Sequence, residues 1–305
     1  MSKKLILIAG PTASGKSSIA IKIAEKIKGE ILNADSMQIY REFSTLSSRP
    51  SKSDSKKIKH HLYGFLSVKK HFSVNDWLKL VKKKINNCIE RKKIPILVGG
   101  TGLYFSAITR GISKIPKIDN KVRTQTRNLY NEIGLKNFYK KLLNMDPLIK
   151  NKILPTDTQR LLRAYEVKKA TKKSLYKWAL NTKSEFLKFD IRKIYINIPR
   201  DDLLKNINKR TEKMFKNKCI DEVRTFLNLN INKSLSANKL IGVKEINEFL
   251  RGVSTIENVK TLINIKTRQY AKRQNTWSRG HMNMWNKLYY KDSSHLTKNI
   301  LNLIS

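Results

Sequence analysis

The stretch GPTASGKS, residues 10–17, constrains this chain more than any other. The spacing Gly-x-x-x-x-Gly-Lys-Ser lets backbone N–H groups close around phosphate oxygens, provided a buried strand precedes it and a helix opens from it. The sequence meets both conditions. Residues 5–9 are a short apolar run, and Ile19, Ile23 and Ile27 share one helical face with Ala20 and Ala24. Gly10, Pro11, Thr12, Ala13, Ser14, Gly15, Lys16 and Ser17 are therefore expected to form a diphosphate- or nucleotide-binding loop. The helix N-terminus adds positive potential, Lys16 reaches the terminal phosphate, and Ser17 can hold Mg²⁺. Such a loop reads phosphates and not bases, so it does not specify ATP.

Apolar runs at 30–34 and at 94–98, the second closed by Gly99-Gly100, flank an amphipathic basic helix at 77–91. Strand alternating with helix implies a parallel, doubly wound sheet. After Gly111 helical patterns dominate, at 119–132, 135–143 and 157–170. KIYINI, residues 193–198, reads as a strand ended by Pro199, and helices resume at 201–218, 220–227, 239–250 and 256–279. The expected fold is α/β: a P-loop NTPase-like parallel sheet core, residues 1–113 and 194–305, with a mainly helical insertion at 114–193.

The 305 residues carry 64 Lys and Arg against 23 Asp and Glu, a net charge of +41. That excess suits a polyanion such as nucleic acid. Abundant Lys, Asn and Ile are also what an A/T-rich genome produces without selection for binding. The apolar fraction of 40% is that of a globular protein. No apolar run is long enough for a bilayer, and the N-terminus lacks the cleavage site of a signal peptide, so no membrane association and a cytoplasmic setting are expected. Cys88 and Cys219 lie far apart with no Cys-x-x-Cys pair, which gives no case for zinc or a disulfide framework.

Other segments hold candidate chemistry with structural alternatives. NADSMQIYR (33–41) and LVGGTGLYF (97–105) follow strands, at the edge where an open α/β sheet binds its ligands. Asp35 there suits a general base or a water-mediated Mg²⁺ contact; taken alone, a helix cap is the better reading. Thr101 offers a hydroxyl at the same edge, or caps the next helix. In LPTDTQRLLRAYEV (154–167), Asp157 or Thr158 caps a helix whose Arg160 and Arg163 share a face, as a phosphate clamp or as a solvated basic surface. Arg210 lies on a basic helix with the same two readings. In IKTRQYAKRQNTWSR (265–279), basic residues alternate with Tyr270 and Trp277. This suits RNA phosphates plus stacking, or an amphipathic helix with its aromatics turned inward.

GPTASGKS, ADSMQIYR, VGGTGLYF, DTQRLLRAYEV, INKRTEKMF, KLIGVKE and KTRQYAKRQNTW occur in this order. Together they resemble the tRNA dimethylallyltransferase family, the isopentenyltransferases that modify tRNA. The resemblance implies transfer of a dimethylallyl group from dimethylallyl diphosphate to N6 of adenosine-37, in tRNAs reading codons that start with U, with Mg²⁺ assisting and pyrophosphate leaving. It implies that the loop holds the diphosphate of an isoprenoid donor. Asp35 would accept the N6 proton, Ser36, Met37 and Gln38 would line the pocket of the flipped adenine, and Thr101 would sit beside donor and base. Lys16, Ser17 and Arg210 would stabilise the departing pyrophosphate. Arg123 and the segment Gln159, Arg160, Leu161, Leu162 and Arg163 would contact tRNA, with the helical insertion gripping the anticodon stem-loop. A monomer is expected.

Three segments depart from the family pattern. Leu46-Ser47-Ser48-Arg49-Pro50 stands where the family reads close to Gly-Thr-Ala-Lys-Pro, Val243 replaces the tyrosine of Ile-Gly-Tyr, and Ala164-Tyr165-Glu166-Val167 replaces Ala-Leu-Glu-Val. The chain is also expected to lack the zinc finger of eukaryotic relatives. Two other classes compete with the prenyltransferase: a small-molecule or nucleoside kinase, and a non-enzymatic RNA-binding protein. A prenyltransferase acting on free adenine nucleotides is a closer rival, against which the broad positive charge argues.

Overall fold

The computed structural model describes residues 3–290 and 292–304. The chain divides into two compact units: one runs to Ile108 and resumes at Phe186, and the other is Thr109–Glu185.

The first unit is built on a six-stranded, all-parallel sheet. Strand β1 (Lys3–Ala9) leads through the phosphate loop into α1 (Lys16–Ile27), followed by β2 (Gly29–Asn33), α2 (Lys52–Lys57), β3 (His60–His61), α3 (Val74–Glu90), β4 (Ile94–Gly99) and α4 (Gly102–Thr109). The strand order is β3-β2-β4-β1, so β1 lies inside the sheet with β4 on one flank. Leu5, Ile6, Leu7 and Ile8 are buried on both faces, which explains the unbroken apolar run. One face packs Ile6 and Ile8 against Ile19 and Ile23 of α1. Helix α3 is fixed by a capping box in which Ser73 and Asp76 satisfy each other's backbone amides.

The second unit is helical. Helix α5 (Asn120–Met145) breaks at Gly134, whose φ of 71° takes it out of helical geometry; the two patterns at 119–132 and 135–143 are the arms on either side. Helices α6 (Thr158–Thr171) and α7 (Leu175–Leu180) complete it. Its own core joins Phe138, Leu142, Ile149, Leu161, Ala164 and Tyr165.

The chain then returns to the sheet as β5 (Phe189–Asn197), which pairs with β1 from Lys3↔Phe189 to Ala9↔Tyr195. The strand starts before the KIYINI run because FDIR is held by the backbone ladder while its side chains are only half-buried. The units accordingly part at 108/109 and 185/186, earlier than the expected 114–193. Helices α8 (Arg200–Phe215), α9 (Cys219–Asn228), α10 (Val243–Leu250) and α11 (Ile256–His281) follow, then the edge strand β6 (Asn286–Tyr289) beside β5, and α12 (Ser293–Ile304). Helices α8 to α11 form a second core of this unit with Ile39, Tyr40, Phe43 and Leu46.

Candidate active site

The loops at the carboxyl ends of β1, β2 and β4 are tied together by hydrogen bonds. The phosphate loop turns tightly: a Cβ on Gly10 would lie 2.8 Å from the Ile196 carbonyl and 2.9 Å from Ser14 Oγ, and Gly15 has a φ of 78°. Ser14 Oγ is buried with no hydrogen-bond partner among the described residues. That orphaned hydroxyl inside a glycine cradle, at the start of a helix, fits an anion. Lys16 Nζ donates to the Pro11 carbonyl at 3.0 Å. Burial pushes the Lys16 ammonium down to about 8; Asp35 opposes that shift and Arg210 adds to it. Arg210 reaches the loop from α8 and donates to Thr12 Oγ1 at 2.5 Å. Burial also lowers the Arg210 guanidinium, against the pull of Asp35. Lys16, Arg210 and Asp35 thus form one electrostatic group.

Asp35 does not cap a helix; the chain after it turns without helical pairing. Its Oδ1 instead accepts from the Met37 amide at 2.9 Å, and the Asp35 amide donates to Asn33 Oδ1 at 2.8 Å. Asn33 Nδ2 in turn donates to the carbonyls of Asp35 and Leu62. One carboxylate oxygen therefore orients the side chain. Burial, with the Asp35 charge as the next cause, pushes the hydroxyls of Tyr63, Tyr104 and Tyr270 well above their usual range.

Thr101 Oγ1 accepts from the Ser36 amide at 2.9 Å and lies 3.3 Å from Ser36 Oγ, while its amide donates to the Ala34 carbonyl. Gln38 Nε2 donates to the carbonyls of Ser47 and Ser48, so it braces its own loop. A cavity of about 290 Å³ opens beside these turns. Gly10, Ser36, Gly100 and Thr101 form its polar edge, and Phe105, Tyr195, Tyr270, Trp277 and Met282 its apolar wall. Tyr270 and Trp277, both half-buried, therefore line the cavity. Gly102 is bare because a Cβ there would strike the Trp277 ring.

The remaining expected contacts lie in the helical unit. Asp157 caps α6, and its carboxylate meets Arg160 at 3.2 Å; Arg163 lies 3.6 Å from Glu166. Gln159 and Arg160 are exposed. Leu161 is fully buried in the unit's core and Leu162 packs against it, so the Leu161 side chain is closed to any RNA. A five-residue match does not distinguish the helical face that packs from the one that projects. Arg123 is half-buried, with Nε unpartnered among the described residues. Of the departures, Val243 and Tyr165 are core residues, and Arg49 donates to the Arg41 carbonyl.

Glu30, His61 and Cys88 also lie together in metal-ligand proximity. Both Glu30 oxygens are already taken, by the fork of Arg91 at 2.5 and 2.8 Å and by His61 at 2.6 Å. Burial pushes the Cys88 thiol up to about 12, which keeps it protonated. The cluster is a Glu30–Arg91 ion pair with His61 hydrogen-bonded to it.

Sequence reasoning missed Asn33, Gln274 and Glu222. Gln274 joins the phosphate loop to Gly100, and Glu222 accepts the amides of Ser44, Thr45 and Leu46. Gln274 and Glu222 act on backbone atoms far away in sequence, for which no local pattern exists; Asn33 bonds the backbone of Asp35 two residues on and the distant Leu62 carbonyl.

A glycine cradle joined by the half-buried cations Lys16 and Arg210, with the Asp35 carboxylate acting on both and a largely apolar cavity alongside, defines an α/β group-transfer site on a P-loop-like core. A model of the IPP transferase family matches residues 38–281. A protein of Pelagibacter ubique named tRNA dimethylallyltransferase is 52% identical over 93% of this chain and 91% of its own length. One of the same name from Rickettsia felis is 41% identical over 99% and 98%. Among solved structures, the tRNA isopentenylpyrophosphate transferase of Bacillus halodurans aligns with a TM-score of 0.70 at 29% identity, covering 99% of this chain and 97% of that one. A eukaryotic dimethylallyltransferase acting on tRNA aligns with a TM-score of 0.82 at 25% identity, covering 99% and 77%. This chain belongs to the IPP transferase family.

Proposed function

We propose that this protein transfers a dimethylallyl group from dimethylallyl diphosphate to N6 of adenosine-37 in tRNAs reading codons that start with U. The carrying observation is that Lys16 and Arg210, two half-buried cations bonded to the Pro11 carbonyl and the Thr12 hydroxyl of the phosphate loop, lie close enough to the Asp35 carboxylate for its charge to act on both. The two charge types answer the two needs of the reaction. The C–O bond of the donor breaks and its diphosphate gains negative charge, which fixed cations stabilise. The N6 amine forms the new C–N bond and gives up a proton, which Asp35 accepts. A base stacked in RNA is out of reach, so adenine is flipped, and Ser36, Met37 and Gln38 line its pocket. Thr101 sits beside it, and the apolar wall of the cavity takes the dimethylallyl tail.

Mg²⁺ fits this donor set. Ser17 is exposed in the first turn of α1 and offers a hydroxyl oxygen, the ligand type a hard cation takes together with diphosphate oxygens and water. Bound there it would neutralise charge on the donor. Arg123, Gln159, Arg160 and Arg163 are the residues we assign to the anticodon stem-loop, with the enzyme acting as a cytoplasmic monomer. Among the described residues no helix is long and apolar enough to cross a membrane.

The test is incubation with radiolabelled dimethylallyl diphosphate and Mg²⁺, separately with unmodified tRNA carrying adenosine-36 and adenosine-37 and with AMP. Label in the tRNA alone, recovered as N6-isopentenyladenosine, is the expected result. Label in AMP alone moves the substrate to free nucleotides, and no label in either sinks the proposal.

A further inference from the structure

Gln274 stands between the two loops that serve opposite ends of the reaction. Its Oε1 accepts from the Thr12 amide at 2.8 Å, and its Nε2 donates to the Gly100 carbonyl at 3.0 Å. Thr12 belongs to the phosphate loop and is held on its other side by Arg210. Gly100 precedes Thr101, whose hydroxyl holds the Ser36 amide next to Asp35. The turn is shaped for this carboxamide, because a Cβ on Gly100 would lie 2.2 Å from Gln274 Nε2. Gln274 itself lines the cavity, and its helix is anchored by the buried Val259, Ile263 and Ala271.

Resting on the prenyl-transfer reading above, we propose that Gln274 is a positioning residue. It sets the separation between the diphosphate loop and the Asp35–Thr101 turn, so that attacking nitrogen and leaving oxygen stand in line across the allylic carbon. Only a carboxamide suits the task. It offers one acceptor and one donor at fixed spacing, whereas Glu loses the donor, Lys loses the acceptor, and Met, of similar length, has no donor and only a weakly accepting sulfur. The same bridge accounts for a phosphate-loop amide, that of Thr12, being turned toward a side chain. In-line displacement depends steeply on this geometry, and a misplacement of about 1 Å can cost about 10²-fold in rate.

Gln274→Met tests the proposal. Its kcat for prenyl transfer to tRNA is expected to fall about 30- to 100-fold, with KM for both substrates nearly unchanged and the thermal midpoint close to that of the unmutated protein. Hydrogen exchange at the Thr12 amide is expected to speed up. A kcat per folded molecule that is unchanged in the variant overturns the proposal. If Gln274→Met does not fold, Gln274→Glu, which keeps the acceptor for Thr12 and loses the donor to Gly100, is measured in the same way. Absence of transfer by the unmutated protein would refute the prenyl-transfer reading instead. The bridge is then judged on exchange alone: unchanged Thr12 exchange in Gln274→Met overturns it, and faster exchange upholds it.

Discussion

The Ser36 amide donates to Thr101 Oγ1 at 2.9 Å, and this one hydroxyl locks the turn after β2 to the turn after β4. Asp35 is placed by that lock together with Asn33, whose Oδ1 holds the Asp35 amide at 2.8 Å. The carboxylate is thus held in place by the protein's own hydrogen bonds, as the proposed role of general base requires.

Asp35→Asn keeps the shape of the turn and removes the group we propose as the base. Transfer is expected to fall by about 10²- to 10⁴-fold, while tRNA affinity stays within a small factor of the original. Single-turnover transfer beside filter binding checks both, and near-normal turnover would remove Asp35 from the chemistry.

Gly99→Ala tests the close approach of β4 to the Asp35 turn. A Cβ at residue 99 would lie 2.1 Å from the Ala34 carbonyl oxygen, a backbone atom that can yield only by moving the turn. Transfer is expected to drop by about 10²-fold through misplacement of Asp35. Activity of a folded variant, verified by circular dichroism, measures it.

Glu222 gathers the amides of Ser44, Thr45 and Leu46 at 3.0, 2.7 and 2.9 Å. Glu222→Ala is expected to cost about 1.5–3 kcal/mol, the range for hydrogen bonds to a charged group. The loop it frees is the one whose Ser47 and Ser48 carbonyls anchor Gln38, so donor-saturated turnover should fall as well. Urea unfolding gives the first number and steady-state kinetics the second.

Arg160 and Leu161 are neighbours with opposite expectations. Arg160 is exposed, so Arg160→Ala should weaken tRNA binding and make its salt dependence shallower by about one phosphate contact. Leu161 is fully buried, so Leu161→Ala should cost about 2–5 kcal/mol of stability through the cavity it leaves. Gel-shift titrations over a salt series and thermal melts separate the two.

Acid should destabilise the first unit in two steps. Burial is the largest cause holding His61 below its usual value, so the unfolded chain binds this proton more readily and stability falls as pH drops below about 6.5. Burial alone would raise Glu30, but Arg91 and His61 outweigh it and hold the carboxyl at about 2. Its contribution is complete above the unfolded value and is lost as pH falls from about 4.5 toward 2. Melting temperatures from pH 7 to pH 3 should show both declines, and His61→Gln should shrink the first, with His60, which burial also holds low, supplying the rest.

The parts legible in the sequence were those in which a local pattern carries the physics. β1 and β4 are buried on both faces and so read as apolar runs, and the phosphate loop has a spacing that its chemistry imposes. The break of α5 at Gly134 was visible as a gap between two helical patterns. β6 was not, because an edge strand with exposed Asn286, Lys287 and Tyr289 has no apolar signature. Neither β3, which is two residues long, nor α12 had been foreseen. The roles proposed for Arg210 and Asp35 came from the ordered set of motifs, since Arg210 alone also read as part of a solvated basic surface and Asp35 alone read better as a helix cap. Gln274 was invisible because its partners are backbone atoms 262 and 174 residues away.

The central claim is that the loop at residues 10–17 holds the diphosphate of an isoprenoid donor and not a nucleotide. Calorimetric titration of dimethylallyl diphosphate, pyrophosphate and ATP into the protein with Mg²⁺, alongside an ATP hydrolysis assay, tests it most directly. The expected result is donor and pyrophosphate competing for one site that Lys16→Ala abolishes, with no ATP turnover. Tight ATP binding at that site with hydrolysis, and no binding of dimethylallyl diphosphate, would contradict it.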